Sequence, residues 1–348
     1  MKKLTNWVKD HQVISFFVLA FLITWGLGFS YGAVVRQGKF LMAPLLFAAT
    51  CGPALAGIII TVITGKWQKS EGHRLKAWIV FLLAWIASIA IFLANFVFVN
   101  KATVSWMLVG IVIISVIPVA FILNLTYSRF PVIRNFPVIP VRMRKNIWWT
   151  LLALILIPAL CLFSITLSQL AGRSSHSFSG LPATGIALIG WISIKFVYQF
   201  FFFNGTGEEA GWRGFALPRL QRHVSPLVAA LLLSLIWVPW HVFLWQAEGR
   251  PITTLSFWLM SYMIHIPASV IICWIFNRSR GSILVAGICH AAANTITAMF
   301  GNLDSTTFAL VLYAFVVVIV IADRMWHKLP VDHPAVHKGS LLINAAPN

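Results

Sequence analysis

Long apolar runs recur along the whole chain, and they constrain its fold more than any other feature. Of the 348 residues, 59% are hydrophobic and only 10% are charged. So little polar sequence cannot cover the surface of a soluble globule. The runs are about twenty residues long and lack a period of two, which is typical of transmembrane helices and not of barrel strands. The sequence therefore predicts an all-α, polytopic membrane helix bundle.

We place about ten transmembrane helices on these runs. They cover residues 13–35, 40–64, 77–99, 104–127, 147–170, 183–203, 226–245, 253–276, 282–300 and 306–322. The first run follows basic residues, as in a signal peptide, but no small-x-small cleavage site comes soon after it. We therefore interpret it as a retained helix.

The basic charge of the chain is distributed according to membrane topology. The net charge is +18, from 26 Lys and Arg residues against eight acidic residues. If the N-terminus is cytoplasmic, only these bases fall in outer loops: Arg36, Lys39, Lys101, Arg173 and Arg250. This asymmetry follows the positive-inside rule. We predict a multi-pass cell membrane protein with both termini in the cytoplasm, with membrane lipid and no nucleic acid as a partner.

Composition divides the chain into four regions. We predict an N-terminal transmembrane bundle at 1–127, a basic cytoplasmic linker at 128–146, a catalytic transmembrane bundle at 147–322 and a cytoplasmic tail at 323–348. All the candidate chemical residues lie after the linker, and we expect the two bundles to pack as one body. The tail is polar and contains three prolines, so we expect it to be loosely structured.

Two adjacent glutamates stand at the end of an apolar run, where ionisable groups are costly and typical of functional sites. On a helix, Glu209 and Arg213 are four residues apart and share a face, so they can form an ion pair. Glu208 lies on another face and has no such partner. We predict that Arg213 holds Glu209 as a structural element, which leaves Glu208 free to act as a general base. The alternative is an ordinary interfacial salt bridge.

A histidine follows in each of two later apolar runs. His290 and Asn294 are four residues apart, so both side chains can point to one place. Glu208 and His241 lie symmetrically about a turn predicted at 224–225, which would bring them to a similar depth. For either histidine taken singly, the alternative is a packed structural side chain.

Other polar residues in the apolar runs receive no catalytic role. We assign His265 to backbone groups freed by a kink at Pro267, with a place in the lining of the site as the alternative. Lys195 is expected to pair with an acid or to extend to the membrane surface. The stretch Asn204-Gly205-Thr206 matches a glycosylation sequon, but this has no meaning at a cytoplasmic membrane boundary.

Several catalytic motifs are absent from the sequence. It has no His-Glu-x-x-His motif, no Gly-x-Ser-x-Gly elbow and no nucleotide-binding loop. No aspartate lies well inside a predicted span. These absences disfavour zincins, serine hydrolases and intramembrane aspartyl proteases.

Three motifs in order resemble those of a known family of intramembrane endopeptidases. They are Glu208-Glu209-x-x-x-Arg213, Trp237-x-x-x-His241 and His290-x-x-x-Asn294. The family is the CPBP (CAAX protease and bacteriocin-processing) or Abi family, which is related to type II CAAX prenyl endopeptidases. The resemblance covers about residues 183–300, and the second motif usually has Phe where this chain has Trp237.

The resemblance implies a catalytic role for four residues. Glu208 and His241 would activate a water that attacks a peptide carbonyl, and His290 and Asn294 would form the oxyanion hole. A carboxylate and an imidazole can take up and deliver the proton. Neutral donors fixed in a dry cavity would stabilise the developing oxyanion by about 3 kcal/mol each.

Glu209 and Arg213 would orient the helix that carries the base. The resemblance favours a metal-free glutamate mechanism without a cofactor. The alternative is a Zn²⁺ ion held by Glu208, His241 and His290, with an open position for water.

The implied substrate is a membrane-associated protein or peptide of CAAX type, or one related to bacteriocins. A non-catalytic membrane protein, either an immunity factor or a scaffold, is the alternative from another class. A transporter is less favoured, because no inverted repeat or pair of broken helices is visible.

Overall fold

A computed structural model of the chain describes residues 2–35, 43–65, 74–125, 147–173, 181–182, 185–300 and 303–337. These residues form helices, turns and short connections, with no β-strand among them. The predicted all-α class is therefore confirmed. The linker predicted at 128–146 lies outside the described residues.

The described part of the chain before the linker is helical, with helices of 8 to 24 residues. They are α1 Lys2–Asp10, α2 Gln12–Val35, α3 Ala43–Thr50, α4 Gly52–Thr64, α5 Arg74–Ala94, α6 Trp106–Ser115 and α7 Ile117–Asn124. A π-helical turn at Asn95–Val99 extends α5. Prolines stand in the first turns of α4 and α7, where their missing N–H costs no helical hydrogen bond.

The part after the linker carries the motifs. Its helices are α8 Ile147–Leu170, α9 Gly185–Gln199, α10 Leu217–Leu220, α11 Pro226–Trp240, α12 Val242–Ala247, α13 Leu255–Arg278, α14 Ile283–Thr297, α15 Ser305–Ala322 and α16 Pro334–His337. Between α9 and α10 the backbone is π-helical at Phe200–Glu209 and Trp212–Ala216. Helices α11, α13, α14 and α15 each begin at a side-chain cap, as is typical of helix starts: Ser225, Thr254, Ser282 and Asp304.

Eight helical segments within the described ranges are long and apolar enough to cross a membrane. They are Gln12–Ser30, Leu75–Val99, Trp106–Asn124, Ile147–Leu170, Gly185–Leu220, Pro226–Ala247, Leu255–Arg278 and Ser305–Ala322. They correspond to eight of the ten predicted spans, and the chain is a multi-pass membrane protein.

The other two predicted spans correspond to the shorter helices α4 and α14. The 15 residues of α14 extend only about 22 Å, which is less than the roughly 30 Å of the hydrocarbon core. Most residues of both helices are buried inside the protein. A helix surrounded by protein does not need to match the thickness of the bilayer.

The N-terminal helices pack directly against the first motif. Gly207 and Gly211 flank the glutamate pair, and a Cβ added to Gly211 would lie 2.4 Å from the carbonyl carbon of Pro53. A Cβ on Gly207 would lie 2.6 Å from the carbonyl oxygen of Thr50. This small-xxx-small spacing lets the two backbones approach closely, as in other membrane helix pairs. The described parts of the two bundles are thus in contact at the candidate site.

The beginning of the tail is packed and not loose, so that prediction is wrong for residues 323–337. The carbonyl of Met325 accepts a hydrogen bond from Leu227 N–H at 3.0 Å, at the start of α11. Ala335 is fully buried and lies against Gly281, which adopts a φ of +73°. A few apolar side chains therefore anchor a segment that is polar by composition. The tail beyond residue 337 lies outside the described residues.

Candidate active site

The first motif lies in the π-helical stretch, and its two glutamates have different surroundings. Glu209 Oε1 accepts a hydrogen bond from Arg213 Nη1 at 2.7 Å, and both side chains are completely buried. The predicted ion pair is therefore present. Arg213 also donates to Ser269 Oγ at 3.3 Å, which ties the first motif to α13.

Glu208 accepts hydrogen bonds from two neutral side chains. Trp237 Nε1 donates to its Oε2 at 2.8 Å, and Asn204 Nδ2 donates to its Oε1 at 3.3 Å. His241 Nε2 lies 4.0 Å from Glu208 Oε2, beyond hydrogen-bond distance. The turn predicted at 224–225 is present and directly precedes α11, and the first two motifs approach each other as predicted.

The other nitrogen of His241 fixes the tautomer of the ring. His241 Nδ1 lies 2.9 Å from the carbonyl oxygen of Trp237, and a carbonyl can only accept, so Nδ1 carries a hydrogen. That carbonyl is accessible because the backbone N–H of His241 bonds to Val238 instead, where the helix tightens. In the neutral ring, Nε2 is then a bare acceptor directed towards Glu208.

His290 forms a contact that the sequence reasoning missed. Its Nδ1 lies 2.9 Å from Glu209 Oε1, the same oxygen that binds Arg213. Glu209 is therefore joined to the third motif as well as to its own helix. This contact links two residues 81 positions apart, and no local spacing could have indicated it.

Asn294 reaches the other glutamate through a second residue. Its Nδ2 donates to Asn204 Oδ1 at 3.3 Å, and Asn204 in turn donates to Glu208. Asn204 is fully buried, and its contact with Glu208 is one that the sequence reasoning missed. Its spacing of four residues from Glu208 is the signal that could have identified it.

Trp237 lies at the centre of the cluster. Its ring centroid is 5.3 Å from that of His241, 5.1 Å from that of His290 and 5.3 Å from that of His265. The guanidinium carbon of Arg213 lies 5.1 Å from the Trp237 ring. A single indole thus separates the two glutamate–histidine pairs while it bonds to one of them.

His265 also belongs to this cluster, and its assignment to the proline kink is wrong. Pro267 frees the carbonyl of Met263, four residues earlier, but His265 Nδ1 bonds to the carbonyl of Ser261 at 2.7 Å. The ring centroids of His265 and His241 are 5.2 Å apart. The alternative, that His265 lines the site, agrees with these contacts.

The described geometry does not fit a metal centre on Glu208, His241 and His290. His290 Nδ1 is bonded to Glu209, so only Nε2 of this ring could serve as a ligand. Among the described residues, no three His, Cys, Asp or Glu side chains are arranged to hold a metal ion. A Zn²⁺ ion would require the side chains to rearrange.

A multi-helix membrane bundle with an internal cluster of carboxylates and imidazoles defines the class of protein, and comparisons show which family it is similar to. Residues 188–296 match the family model described as Type II CAAX prenyl endopeptidase Rce1-like. The chain is 30% identical over 194 residues to CAAX prenyl protease 2 of Methanococcus maripaludis. The alignment covers 50% of this chain and 66% of that relative, just under two thirds of its length. Over this region the chain is similar to the Rce1-like family, in agreement with the resemblance of its motifs to the CPBP group.

Proposed function

We propose that this protein is an intramembrane endopeptidase in which Glu208 and His241 activate the attacking water. The observation that carries the proposal is the approach of Glu208 Oε2 and His241 Nε2 to 4.0 Å inside a membrane bundle. The similarity to the Rce1-like family supports the same activity. Because an ionisable pair at this depth is costly, a role in function explains it better than a role in stability.

The two facing atoms suit a water molecule. Glu208 Oε2 and the bare Nε2 of His241 are both acceptors, and a water has two hydrogens to donate. A water between them would give one hydrogen to each and direct its lone pairs away from both. Those lone pairs would then face a peptide carbonyl carbon placed over the pair.

In the reaction, the water oxygen forms a bond to the carbonyl carbon while its proton moves to the Glu208–His241 pair. The carbonyl oxygen becomes an oxyanion. The C–N bond then breaks, and the same proton passes to the leaving nitrogen, which gives an amine and a carboxylic acid. The pair returns to its starting state, so no further co-reactant is needed.

His290 and Asn294 are proposed to donate hydrogen bonds to the oxyanion. Because Glu209 can only accept, His290 Nδ1 must carry a hydrogen, and Nε2 can donate only from an imidazolium. The ionised forms of Glu208, Glu209, Arg213 and His290 sum to zero charge. This balance reduces the cost of a charged donor at membrane depth. A charged His290 therefore replaces the neutral donor that the sequence-based hypothesis expected.

For the substrate we propose a membrane-associated peptide or protein of the prenylated CAAX type. The name of the relative in Methanococcus maripaludis supports this class. An apolar lipid group on the substrate would hold its peptide at the membrane, where the Glu208–His241 pair lies. A bacteriocin-related peptide is the alternative substrate.

The proposal is tested by comparing new peptide termini in membranes that contain wild type or Glu208→Gln at equal levels. The matched control is Glu248→Gln, which changes a glutamate paired with Arg250 in an exposed loop. We expect termini that depend on Glu208 and persist in the control. Equal termini in all three samples would reject the peptidase and favour an immunity factor or scaffold.

The metal-free mechanism has its own test. A farnesylated CAAX peptide labelled with a fluorophore is incubated with the purified protein before and after treatment with a zinc chelator. We expect hydrolysis to continue at the same rate. Loss of activity on chelation, with recovery on addition of Zn²⁺ alone, would favour the metal alternative.

We also propose that both termini lie in the cytoplasm, as the distribution of Lys and Arg indicates. The four native cysteines are buried, so single cysteines introduced at the exposed Lys9 and Arg250 can be labelled selectively. A membrane-impermeant maleimide should label Arg250→Cys in intact cells, and Lys9→Cys only after permeabilisation. The reverse pattern would invert the topology.

A further inference from the structure

His265 is the third histidine beside the water-activating pair, and no motif of the family includes it. It lies in α13, and its ring contacts both Trp237 and His241. Trp245 closes the other side of this group, with its ring stacked on His241 at 5.2 Å and edge-on to His265 at 5.8 Å. His265 therefore adjoins the residue that would face the scissile bond.

One nitrogen of His265 is fixed and the other is free. Nδ1 donates to the carbonyl of Ser261 at 2.7 Å, because that carbonyl can only accept. In the neutral ring, Nε2 is then a bare acceptor. No hydrogen-bond partner of Nε2 is found among the described residues. His265 and His241 thus present the same tautomer, and each ring is fixed by a carbonyl four residues earlier.

The bare acceptor of His265 is open to a donor that enters the site. Trp237 and Trp245 surround His265 with apolar ring surface, and its side chain is partly exposed. Nε2 is not enclosed by protein atoms, so it lacks a donor, yet a molecule that enters the site can reach it. A peptide entering the membrane has the complementary problem, since each of its backbone N–H groups needs an acceptor there.

We propose that His265 is a substrate-positioning residue, whose Nε2 accepts a hydrogen bond from a backbone N–H of the bound peptide next to the scissile bond. This inference rests on the proposed peptidase function. The bond fixes the strand of the peptide beside His241, so that the carbonyl faces the Glu208–His241 pair. It is made equally in the bound substrate and in the transition state, so it contributes to binding more than to the chemical step.

Two variants distinguish the contribution of the Nε2 acceptor of His265 from that of its aromatic ring. His265→Phe retains an aromatic ring against Trp237 and His241 but lacks the acceptor, and His265→Gln offers an acceptor without the ring. With the farnesylated CAAX peptide, we expect His265→Phe to raise KM about fivefold, as one lost hydrogen bond predicts, with kcat changed less than twofold. His265→Gln should recover part of the loss in KM. Equal thermal unfolding of both variants and wild type controls for folding.

The decisive experiment is a scan of the same peptide with one backbone nitrogen methylated at a time. At one position near the scissile bond, methylation should lower kcat/KM of wild type by about fivefold and that of His265→Phe by less than twofold. If the two proteins respond equally at every position, the inference is overturned while the peptidase function stands. If wild type does not hydrolyse the unmethylated peptide, the proposed function fails for this substrate class, and the inference fails with it.

Discussion

Glu208 and Glu209 are neighbours in the chain, yet the bundle places each of them in a separate glutamate–histidine pair. Glu209 lies 2.9 Å from His290 and 2.7 Å from Arg213, and it is completely buried. Glu208 lies 4.0 Å from His241, and its direct hydrogen bonds come from neutral side chains. The first pair is closed by direct charge contacts, whereas the second leaves room for a reactant.

The difference shows how a membrane protein can hold two carboxylates side by side. A carboxylate at this depth with direct ionic partners contributes to the folded structure, because removing it leaves its partners unpaired. Glu208 has no direct ionic partner, so its Oε2 remains directed at His241 Nε2, and a water can bind between these two acceptors. Trp237 contacts both pairs, and its indole N–H fixes the orientation of Glu208.

The strongest test of this comparison is thermal unfolding of two alanine variants in detergent. Glu209→Ala leaves Arg213 buried without its partner, so we expect a loss of about 3–5 kcal/mol. Glu208→Ala removes hydrogen bonds from neutral groups only, and the expected loss is about 1–2 kcal/mol. Equal losses would contradict the division of roles between the two glutamates.

A second test asks whether the N-terminal helices hold the closed pair in place. In Gly211→Ala, the added Cβ would meet the backbone of Pro53 at 2.4 Å, so we expect a loss of about 1–3 kcal/mol in unfolding free energy. The control is Gly190→Ala, where nothing lies within 4 Å and the better helix former should stabilise by up to about 1 kcal/mol. Similar changes of the same sign in the unfolding free energy of both variants would show that the close approach of Gly211 to Pro53 does not affect stability.

A third test sharpens the role of Trp237. In Trp237→Phe the ring contacts remain, but Glu208 loses its 2.8 Å hydrogen bond from the indole N–H. We expect kcat to fall about tenfold with little change in KM, because the base loses its orientation while the binding surface is retained. A change confined to KM would assign Trp237 to substrate binding instead.

The smallest expected effect concerns a carboxylate outside the membrane-spanning helices. Hydrogen bonds from the Thr307 side chain and backbone lower the pKa of Asp304, the cap of α15, to about 2. Because the pKa is lowered on folding, the capping stability is complete above pH of about 4 and is lost as the pH falls towards 2. Asp304→Ala should cost about 1 kcal/mol at pH 7.

The pH dependence provides the control for this variant. The difference in unfolding temperature between wild type and Asp304→Ala should decrease between pH 4 and pH 2, as the cap of the wild type becomes protonated. A constant difference across this range would show that the charge of Asp304 contributes nothing to the cap.

Features set by neighbouring residues were predicted well from the sequence. The apolar runs identified the eight long spans, and the turn before Pro226 is where the sequence indicated it. The ion pair of Glu209 with Arg213 follows from a spacing of four residues. The helices α4 and α14 are shorter than the spans predicted for them. The length of an apolar run measures hydrophobicity alone, and burial in protein allows a helix to be shorter than the bilayer is thick. The packed start of the tail depends on contacts with distant helices.

The sequence by itself determined that this protein is an all-α membrane protein, with three motifs in order along the chain that resemble those of the CPBP family. Hydrophobic length and helical periodicity act over a few residues, so they can be deduced from the sequence without a structure. Only the tertiary structure decided that His290 joins Glu209, that His241 faces Glu208, and that Asn204 and Trp237 bond to Glu208. Such pairings depend on how each helix is rotated and packed against its neighbours, and no spacing within a single helix encodes that rotation.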